Sequence, residues 1–528
     1  MKMSAKLNDS QNLIEELSQA IGTEHVLTDP ADREFYAMDV YNFRELPLAV
    51  VQPGDVGELQ AIARLAAAAG VALVPRGGGA SYTDAYLPAT PDSLLIDTGR
   101  MNRILELNEA DMYVTVEPGI TWAELTAKLG EHGLRTAFWG PFSGLKATVG
   151  GSMSQNAVSL GSGNYGCSAE TALSFDIVLP GGELLKTSSA AIENGTPFFR
   201  WYGPDLTGLF TGDAGALGIK AAITLRLIPA PSHFAAASFG FEEFHAMADA
   251  MAAAARTGVV ADNFGLDPKL QQGQLGSAST KDAVQAAWAV LKTSTNPIDG
   301  IGRTLRMAAA GKRFLSGFDY SAHYVVEGST RAEVNAKLAQ VRRAIGSLGT
   351  EIANTIPTVL RAMPFIPLYP ILGPRGQRWV PMHGILPFSK VRGFHDRLTA
   401  LYDEYAARME QHKVEKAAMF TSISTTAQLY EPVFYWEDDR TVFHRRYLPQ
   451  DYLDMLPEYP PNPEGRALVK EMRGRIQELF SEFGATHMQI GKTYPYLRGR
   501  QAQAERLLRE IKRALDPDGL MNPGALGL

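Results

Sequence analysis

The chain of 528 residues is long enough for two or more domains, and its 45% hydrophobic and 20% charged residues are typical of a globular protein. A net charge of −7 without a dominant basic segment argues against a nucleic-acid partner. No apolar run approaches the roughly 18 residues of a membrane span, and residues 1–8 lack the apolar core of a signal peptide. The single cysteine, Cys167, excludes an internal disulfide and agrees with a cytoplasmic location.

Helices and strands alternate in the first part of the chain. Thr121, with Glu124 three residues later, forms a capping box that begins a helix, and Gly70 is a typical helix stop. The predicted elements are a helix over 9–21 capped by Asp9 or Ser10, a strand over 46–52, a helix over 55–69, strands over 94–97 and 114–116, and a helix over 121–132. This alternation predicts an α+β domain over residues 1–231, with its core at 46–231.

A Pro-Ala-Pro segment at 229–231 marks a domain boundary. The elements predicted beyond it are a helix over 239–255, a strand over 322–327, a helix over 331–348, an irregular segment over 364–381, a helix over 392–411, a strand over 418–425, a loop over 447–463, and helices over 466–483 and 501–514. They predict a second domain at 232–485 with an antiparallel sheet backed by helices. Residues 486–528 then return to the first domain.

Three successive glycines, Gly77, Gly78 and Gly79, follow the apolar strand 71–74. Glycine lets backbone N–H groups approach an anion closely, and consecutive N–H groups form an anion-binding nest. Arg76 adds a fixed charge beside them. The pattern predicts a diphosphate site that a bulky residue at Gly78 would destroy. A plain tight turn is the alternative.

Two further small-residue stretches strengthen the prediction of a cofactor site. One runs over 148–156 and continues through 160–166; the other covers 212–219. Three such loops indicate a long cofactor held mainly by main-chain atoms. None matches the Gly-x-Gly-x-x-Gly pattern of a doubly wound nicotinamide-binding domain, which makes that fold the weaker interpretation.

Five motifs occur in the order found in one family of flavoproteins. They are Pro75-Arg-Gly-Gly-Gly-Ala-Ser81, Asp97-Thr-Gly-Arg-Met-Asn-Arg-Ile104, Val114-Thr-Val-Glu-Pro-Gly119, Val149-Gly-Gly-Ser152 and Ser174-Phe-Asp-Ile-Val-Leu-Pro-Gly-Gly-Glu183. The tail Asp516-Pro-Asp-Gly-Leu-Met-Asn-Pro-Gly524 is similar to that family's closing motif. The chain thus resembles the FAD-linked oxidases of the vanillyl-alcohol oxidase and p-cresol methylhydroxylase superfamily.

The resemblance implies an FAD-binding domain of the p-cresol methylhydroxylase type and a cap domain that lies over the isoalloxazine ring. No histidine occurs at 77–81 or around Tyr430, where relatives attach FAD covalently, so we expect FAD to be non-covalent. Cys167 is read as a packing residue. The expected cofactor-binding residues are Pro75, Arg76, Gly77, Gly78, Gly79, Ala80, Ser81, Pro141, Thr148, Gly150, Gly151, Ser154, Asn156, Gly161, Tyr165, Gly166, Gly218, Ile219 and Asn522.

The resemblance also supplies candidates for the chemistry. Tyr494 lies where phenol-oxidising members carry a tyrosine that binds the phenolate, and Arg498 or Lys492 could hold negative charge there. His383 precedes a segment at 387–390 that resembles the cap of those members. Tyr430 is a further candidate catalytic residue. We expect no metal site.

These residues predict hydride transfer from a para-substituted phenolic alcohol or alkylphenol to FAD. The alternatives are a D-2-hydroxy acid dehydrogenase or oxidase of the same superfamily and a non-enzymatic flavin-fold subunit for binding or assembly. The histidine spacing of metal-containing hydroxy-acid enzymes is missing, although Gly491-Lys492 and Asp516-Pro517 also resemble that branch. A homodimer and a protein electron acceptor stay open.

Overall fold

The structure, a computed structural model, describes residues 2–271 and 317–528, with the side chains of the first helix described from Ser10 onward. In the first part the elements are α1 (Lys2–Ile21), β1 (Val26–Leu27), α2 (Pro30–Tyr36), β2 (Ala49–Val51), α3 (Val56–Ala69), β3 (Ala72–Arg76), β4 (Ser93–Asp97), β5 (Ile104–Asn108), β6 (Tyr113–Val116), α4 (Trp122–Gly130), β7 (Leu134–Thr136), α5 (Val149–Gln155), α6 (Ser162–Tyr165), β8 (Ala172–Val178), β9 (Leu184–Lys186), α7 (Leu206–Leu209) and β10 (Ile219–Pro229).

The second part begins directly after β10. Its described elements are β11 (His233–Phe241), α8 (Phe244–Arg256), β12 (Asp262–Leu266), β13 (Tyr320–Gly328), α9 (Arg331–Ile345), β14 (Thr350–Ile352), α10 (Thr355–Ala362), β15 (Arg378–Pro381), β16 (Gly384–Pro387), α11 (Phe388–Gln411), β17 (Val414–Ile423), β18 (Ala427–Trp436), α12 (Val442–Tyr447), α13 (Gln450–Asp454), α14 (Pro463–Glu482) and α15 (Ala502–Leu515).

Local signals gave most helix ends correctly. Asp55 caps α3 through the backbone N–H of Glu58, and the helix ends at Gly70 in the left-handed region. The capping box of Thr121 and Glu124 is present. The cap at Asp9 or Ser10 was wrong, because α1 begins at Lys2.

Longer-range pairing overrode several local predictions. Residues 239–241 end strand β11 rather than begin a helix, because they pair with β13. Strand β18 was not predicted at all, and the predicted loop over 447–463 contains helix α13.

Contacts divide the chain into two compact units. The first unit holds residues 1–157, 168–228 and 488–528, and the second holds 158–167 and 229–487. Residues 158–167 join the second unit because Gly161 N–H donates to Asp262 Oδ1 and Gly163 N–H to the carbonyl of Ala261, both 2.8–3.0 Å long. The expected cofactor residues Gly161, Tyr165 and Gly166 therefore lie in the second unit, whereas the predicted domain over 1–231 included them.

The first unit contains two sheets. In one, of strand order β1-β2-β4-β3, the strands β2, β4 and β3 are parallel. In the other, of strand order β5-β6-β10-β8-β9, adjacent strands pair antiparallel. Helices α1 and α3 bury Leu17, Leu59 and Ile62 against Leu73 of β3, and Met521 of the C-terminal tail joins this core. The C-terminal tail thus packs against the sheet whose strand β3 leads into the glycine loop.

The second unit is built on one antiparallel sheet. Its strand order is β14-β11-β13-β12-β17-β18-β15, with β16 paired to the other end of β18. Helices α8 and α11 pack on one face, where Phe244 of α8 and Phe394 of α11 contact Tyr430 of β18. Because side chains alternate along a strand, Glu431 belongs to the opposite face. The fold class is α+β, as predicted.

Within residues 2–271 and 317–528, no helix combines the length and the apolar character that a bilayer crossing needs.

Candidate functional site

The loop after β3 has the features of an anion site. The hydroxyl of Tyr86 donates to the carbonyls of Gly79 and Ser81, at 2.9 and 3.0 Å. This fixes the carbonyls toward Tyr86, and the N–H groups of Gly79, Ala80 and Ser81 donate to no residue in the described part of the chain. Gly79 has a φ of 65°. A row of available N–H groups on a fixed loop fits the diphosphate of FAD.

Gly77 and Gly78 are needed for a reason that the sequence does not reveal. A Cβ on Gly78 would lie 1.7 Å from the carbonyl oxygen of Lys146, and one on Gly77 would lie 2.3 Å from Thr148 Oγ1. The two glycines therefore let the first small-residue loop pack on the second, with or without a cofactor. Replacing Gly78 by a bulky residue would break this packing, so that change does not test cofactor binding.

Arg76 does not point its charge at an open anion site. Its guanidinium lies over the rings of Phe35, Tyr36 and Tyr86, at 4.4–5.2 Å from their centroids, and the residue is buried. Cation–π contacts of this kind stabilise a buried guanidinium. Because the hydroxyl of Tyr86 bonds to the glycine loop, Arg76 stabilises that loop indirectly, by packing on the ring of Tyr86.

Parts of the three small-residue stretches lie against one another in the first unit. The N–H groups of Gly212 and Ala214 donate to the carbonyls of Met153 and Ser154, at 2.9 and 2.8 Å. Thr148 caps α5, and Asn156 ends it in the left-handed region. The first unit therefore brings together the expected cofactor residues of 75–81, 148–156 and 212–219.

Gln489, which the sequence analysis did not select, joins two of these stretches. Its N–H donates to the carbonyl of Gln155 at 2.7 Å, and its Oε1 accepts from Ser81 Oγ at 3.0 Å. No sequence motif marks this residue, since its partners are 334 or more residues away along the chain.

Lys492 and Asn522 fasten the C-terminal tail to the first unit. Lys492 Nζ donates to Asn522 Oδ1 at 2.6 Å and to the carbonyls of Leu87 and Ala85 at 2.9 and 3.3 Å. Asn522 Nδ2 donates to the carbonyls of Ala85 and Ala214. Burial, and then Arg44, lower the pKa of Lys492 to about 7. The ammonium expected to hold substrate charge is thus enclosed by carbonyl oxygens.

Tyr494 and Arg498 occupy different environments. Tyr494 is 3% exposed, and its N–H donates to the carbonyl of Ile490. Arg498 is exposed, and its N–H donates to the carbonyl of Pro495. Tyr496, two residues from Tyr494, lies under the guanidinium of Arg500 at 3.8 Å. Tyr494 is therefore the interior residue of this turn, and Arg498 faces solvent.

His383 and Tyr430 belong to the second unit and are both buried. The carbonyl of His383 accepts from Nδ1 of His487 at 2.7 Å, and burial holds the pKa of the His383 imidazole well below its usual range. The hydroxyl of Tyr430 bonds to Nδ1 of His395 at 2.9 Å on the helix-covered face. Tyr430 is thus engaged within the packed layer between sheet and helices.

Glu431 of β18 carries a buried carboxyl group in the second unit. It is 9% exposed, and its carboxyl group makes no hydrogen bond or ion pair with any residue of the described chain. Its neighbours on the same face include its cross-strand partner Met419 and the apolar cluster of Val433 and Tyr435. Burial alone raises the pKa of Glu431 to about 8. A carboxyl group in this setting takes up or releases a proton near neutral pH.

Comparisons with known proteins agree with this geometry. Residues 47–188 match the family model of the FAD-binding domain, and residues 490–526 match that of the C-terminal domain of FAD-linked oxidases. The solved structure of p-cresol methylhydroxylase with bound substrate superposes with a TM-score of 0.75, at 17% identity, over 99% of this chain and 97% of that one. Residues 47–188 and 490–526 are thus similar to the two domains of the FAD-linked oxidases. FAD is the cofactor of this chain.

Two curated relatives extend the comparison. The mitochondrial D-lactate dehydrogenase (cytochrome) of Arabidopsis thaliana is 30% identical over 52% of this chain and 47% of the relative. The D-2-hydroxyglutarate dehydrogenase of Stutzerimonas stutzeri is 32% identical over 44% of this chain and 48% of the relative. The chain thus spans about half the length of the curated relatives it matches. Among the described residues, no group of three or more His, Cys, Asp or Glu could hold a metal ion.

Loss of the Tyr86 hydroxyl should weaken FAD binding about tenfold, because two hydrogen bonds that orient the glycine loop disappear in Tyr86→Phe. The measurement is the dissociation constant of FAD for apoprotein. Tyr113→Phe is the matched control, since its hydroxyl bonds to Glu106 on the other sheet of the same unit. Equal affinity of the Tyr86→Phe and Tyr113→Phe proteins would contradict this role of Tyr86.

Acid precipitation should release all flavin into the supernatant, because no histidine lies in the loop 77–81 or directly around Tyr430. The measurement is the flavin absorbance of the supernatant and pellet, together with the intact protein mass. A mass increase of one FAD on the precipitated chain would overturn non-covalent binding and direct attention to Cys167.

Proposed function

We propose that this protein is an FAD-dependent oxidoreductase that oxidises a CH–OH or benzylic CH group of a para-substituted phenolic alcohol or alkylphenol. When bound, FAD supplies the hydride acceptor. The single observation that carries the choice of substrate is the carboxyl group of Glu431, which has no partner among the described residues and lies on the sheet face opposite helices α8 and α11.

The setting of Glu431 favours a neutral substrate. The carboxyl group of Glu431 is buried beside Met419 and Val433 and has no cationic partner among the described residues, so it disfavours a second negative charge nearby. The same group, once ionised, can accept a proton from a neutral phenol. Phenol ionisation raises the electron density of the ring and its side chain, which promotes hydride loss from the benzylic carbon.

The second candidate is oxidation of a D-2-hydroxy acid. The matches to D-lactate and D-2-hydroxyglutarate dehydrogenases favour it. That reaction requires a cation to hold the substrate carboxylate. In the described part of the chain, Glu431 has no such cation as a partner, which is why we place this function second. A flavin-fold binding subunit without chemistry is the non-enzymatic alternative.

Anaerobic reduction of the bound flavin tests the proposal. The holoprotein is mixed without oxygen with a panel of para-alkylphenols, para-hydroxybenzylic alcohols, D-lactate and D-2-hydroxyglutarate, and flavin bleaching is followed. Bleaching by phenols and not by hydroxy acids supports the proposal. Bleaching by hydroxy acids alone moves the assignment to the second candidate, and a flavin that none of them reduces favours the non-enzymatic alternative.

A cytoplasmic location, a homodimer and a protein electron acceptor stay predictions.

A further inference from the structure

A row of buried polar side chains crosses the helix-covered face of the sheet in the second unit. It consists of Tyr324 of β13, Asn263 of β12, Ser422 of β17 and Gln428 of β18. Tyr324 pairs with Asn263, and Ser422 pairs with Gln428. Thr421 pairs with Phe264, so the next position of that register sets Ser422 opposite Asn263. The four residues therefore occupy one line across four neighbouring strands.

All four side chains lie on the same face. Asn263 Nδ2 donates to the carbonyl of Met251 in α8 at 2.9 Å, so Asn263 is on the helix side. Tyr324 is its directly opposite cross-strand partner and therefore lies on the same side. Phe420 and Tyr430 also lie there, and alternation assigns Ser422 and Gln428 to the same side. Directly opposite side chains on one face of a sheet are about 5 Å apart at Cβ.

This row has more hydrogen-bonding atoms than the protein satisfies. Tyr324, Ser422 and Gln428 are 0% exposed, and Asn263 is 1% exposed. Among residues 2–271 and 317–528, the hydroxyls of Tyr324 and Ser422, the amide oxygen of Asn263 and both amide atoms of Gln428 have no hydrogen-bond partner. Buried polar atoms are almost always hydrogen-bonded, and each one left unsatisfied is costly.

The chemistry of these atoms defines what they bind. Two hydroxyls can donate or accept, the Gln428 amide does both, and Asn263 Oδ1 accepts. None of the four side chains is charged, so neither an anion nor a cation is matched. Their complement is a small neutral molecule that both donates and accepts hydrogen bonds. Helix α8, which packs over this face, has buried alanines in its last turns, at Ala250, Ala254 and Ala255.

We infer that Tyr324, Asn263, Ser422 and Gln428 form an internal binding site for a file of ordered water molecules. Each water bridges side chains of neighbouring strands that do not bond to one another directly. Buried waters of this type typically make about three hydrogen bonds and belong to the fold. The site is independent of the proposed reaction.

High-resolution diffraction from crystals of the holoprotein tests this inference directly. We expect solvent density at hydrogen-bonding distance, roughly 2.7–3.2 Å, from Ser422 Oγ and the Gln428 amide, and also from Tyr324 or Asn263. The inference is overturned if that volume is empty, or if the four side chains adopt rotamers that bond to one another without water.

Thermal unfolding gives a second readout. Ser422→Ala removes a water-anchoring hydroxyl, so the midpoint should fall by about 2–4 °C, the effect of losing roughly 1 kcal/mol in a domain of this size. Ser238→Ala is the matched control. The hydroxyl of Ser238 is fully buried on the same sheet, but it bonds directly to the imidazole of His323, at 2.8 Å. A Ser422→Ala midpoint that equals or exceeds the parent's would mean that the hydroxyl binds nothing, and would overturn the inference.

Discussion

Replacing Glu431 by glutamine should slow reduction of the bound flavin by phenolic substrates about 10²–10³-fold, the range for loss of a general base. Glutamine keeps the size and polarity of the side chain but cannot accept the proton. The measurement is the anaerobic stopped-flow reduction rate at saturating substrate.

The pH profile separates this role from a structural one. Because the pKa of Glu431 is raised to about 8, the parent's reduction rate should rise with pH and level off above that value, and the Glu431→Gln rate should lack this rise. Glu415→Gln is the control, since Glu415 lies on the neighbouring strand with Lys269 and Arg375 as ion-pair partners. Equal slowing in both variants, or an unchanged profile in Glu431→Gln, would remove Glu431 from the mechanism.

The same group predicts how stability depends on pH. The folded pKa of Glu431 lies above its ordinary value of 4.5, so the folded state binds more protons than the unfolded state between these values. The contribution of Glu431 to stability is therefore fully present below about pH 4.5 and is lost as pH rises toward 8. Glu431→Gln should lose this dependence and should gain thermal stability relative to the parent as pH rises from 6 to 9.

Replacing Tyr494 by phenylalanine should slow flavin reduction by phenols about 10²-fold and leave the flavin spectrum unchanged. Loss of one donor to a developing oxyanion has this effect in other enzymes. The slowing should be smaller for methyl ethers of the same substrates, because an ether oxygen cannot ionise. Stopped-flow reduction with phenol and ether pairs makes the comparison.

Tyr496→Phe is the control for Tyr494, since its ring is only partly buried in the same turn, beneath Arg500. We expect parental rates for this control. If Tyr494→Phe also reduces at parental rates with every accepted substrate, Tyr494 is structural and the search for a phenol-binding group returns to His383.

The sequence was sufficient where the determining contacts are local. The cap at Asp55 and the capping box at Thr121 involve partners within three residues, and both appeared as predicted. The anion-binding role of the glycine triplet stays a prediction. The clash that forbids a Cβ at Gly78 was not foreseen, because it comes from Lys146, nearly seventy residues away along the chain.

Prediction failed where pairing between distant strands decides the outcome. Strand β18 (Ala427–Trp436) is apolar on both faces apart from Gln428 and Glu431, because it is buried in the sheet between β17 and β15. Its sequence therefore lacks the alternation of polar and apolar residues that marks a half-exposed strand. Glu431 was not among the candidate residues predicted from the sequence. The role proposed for it rests on its lack of partners among the described residues, which no motif encodes. Likewise, segment 158–167 joins the second unit through Asp262 and Ala261 rather than through its own sequence.

One rate ratio tests whether the substrate is an ionisable phenol. The parent holoprotein is mixed anaerobically with a para-alkylphenol and, separately, with its methyl ether, and flavin reduction is timed. We expect the phenol to reduce the flavin rapidly and the methyl ether to reduce it about 10²-fold or more slowly. Equal rates with both compounds, or reduction by D-lactate while the phenol leaves the flavin oxidised, would contradict it.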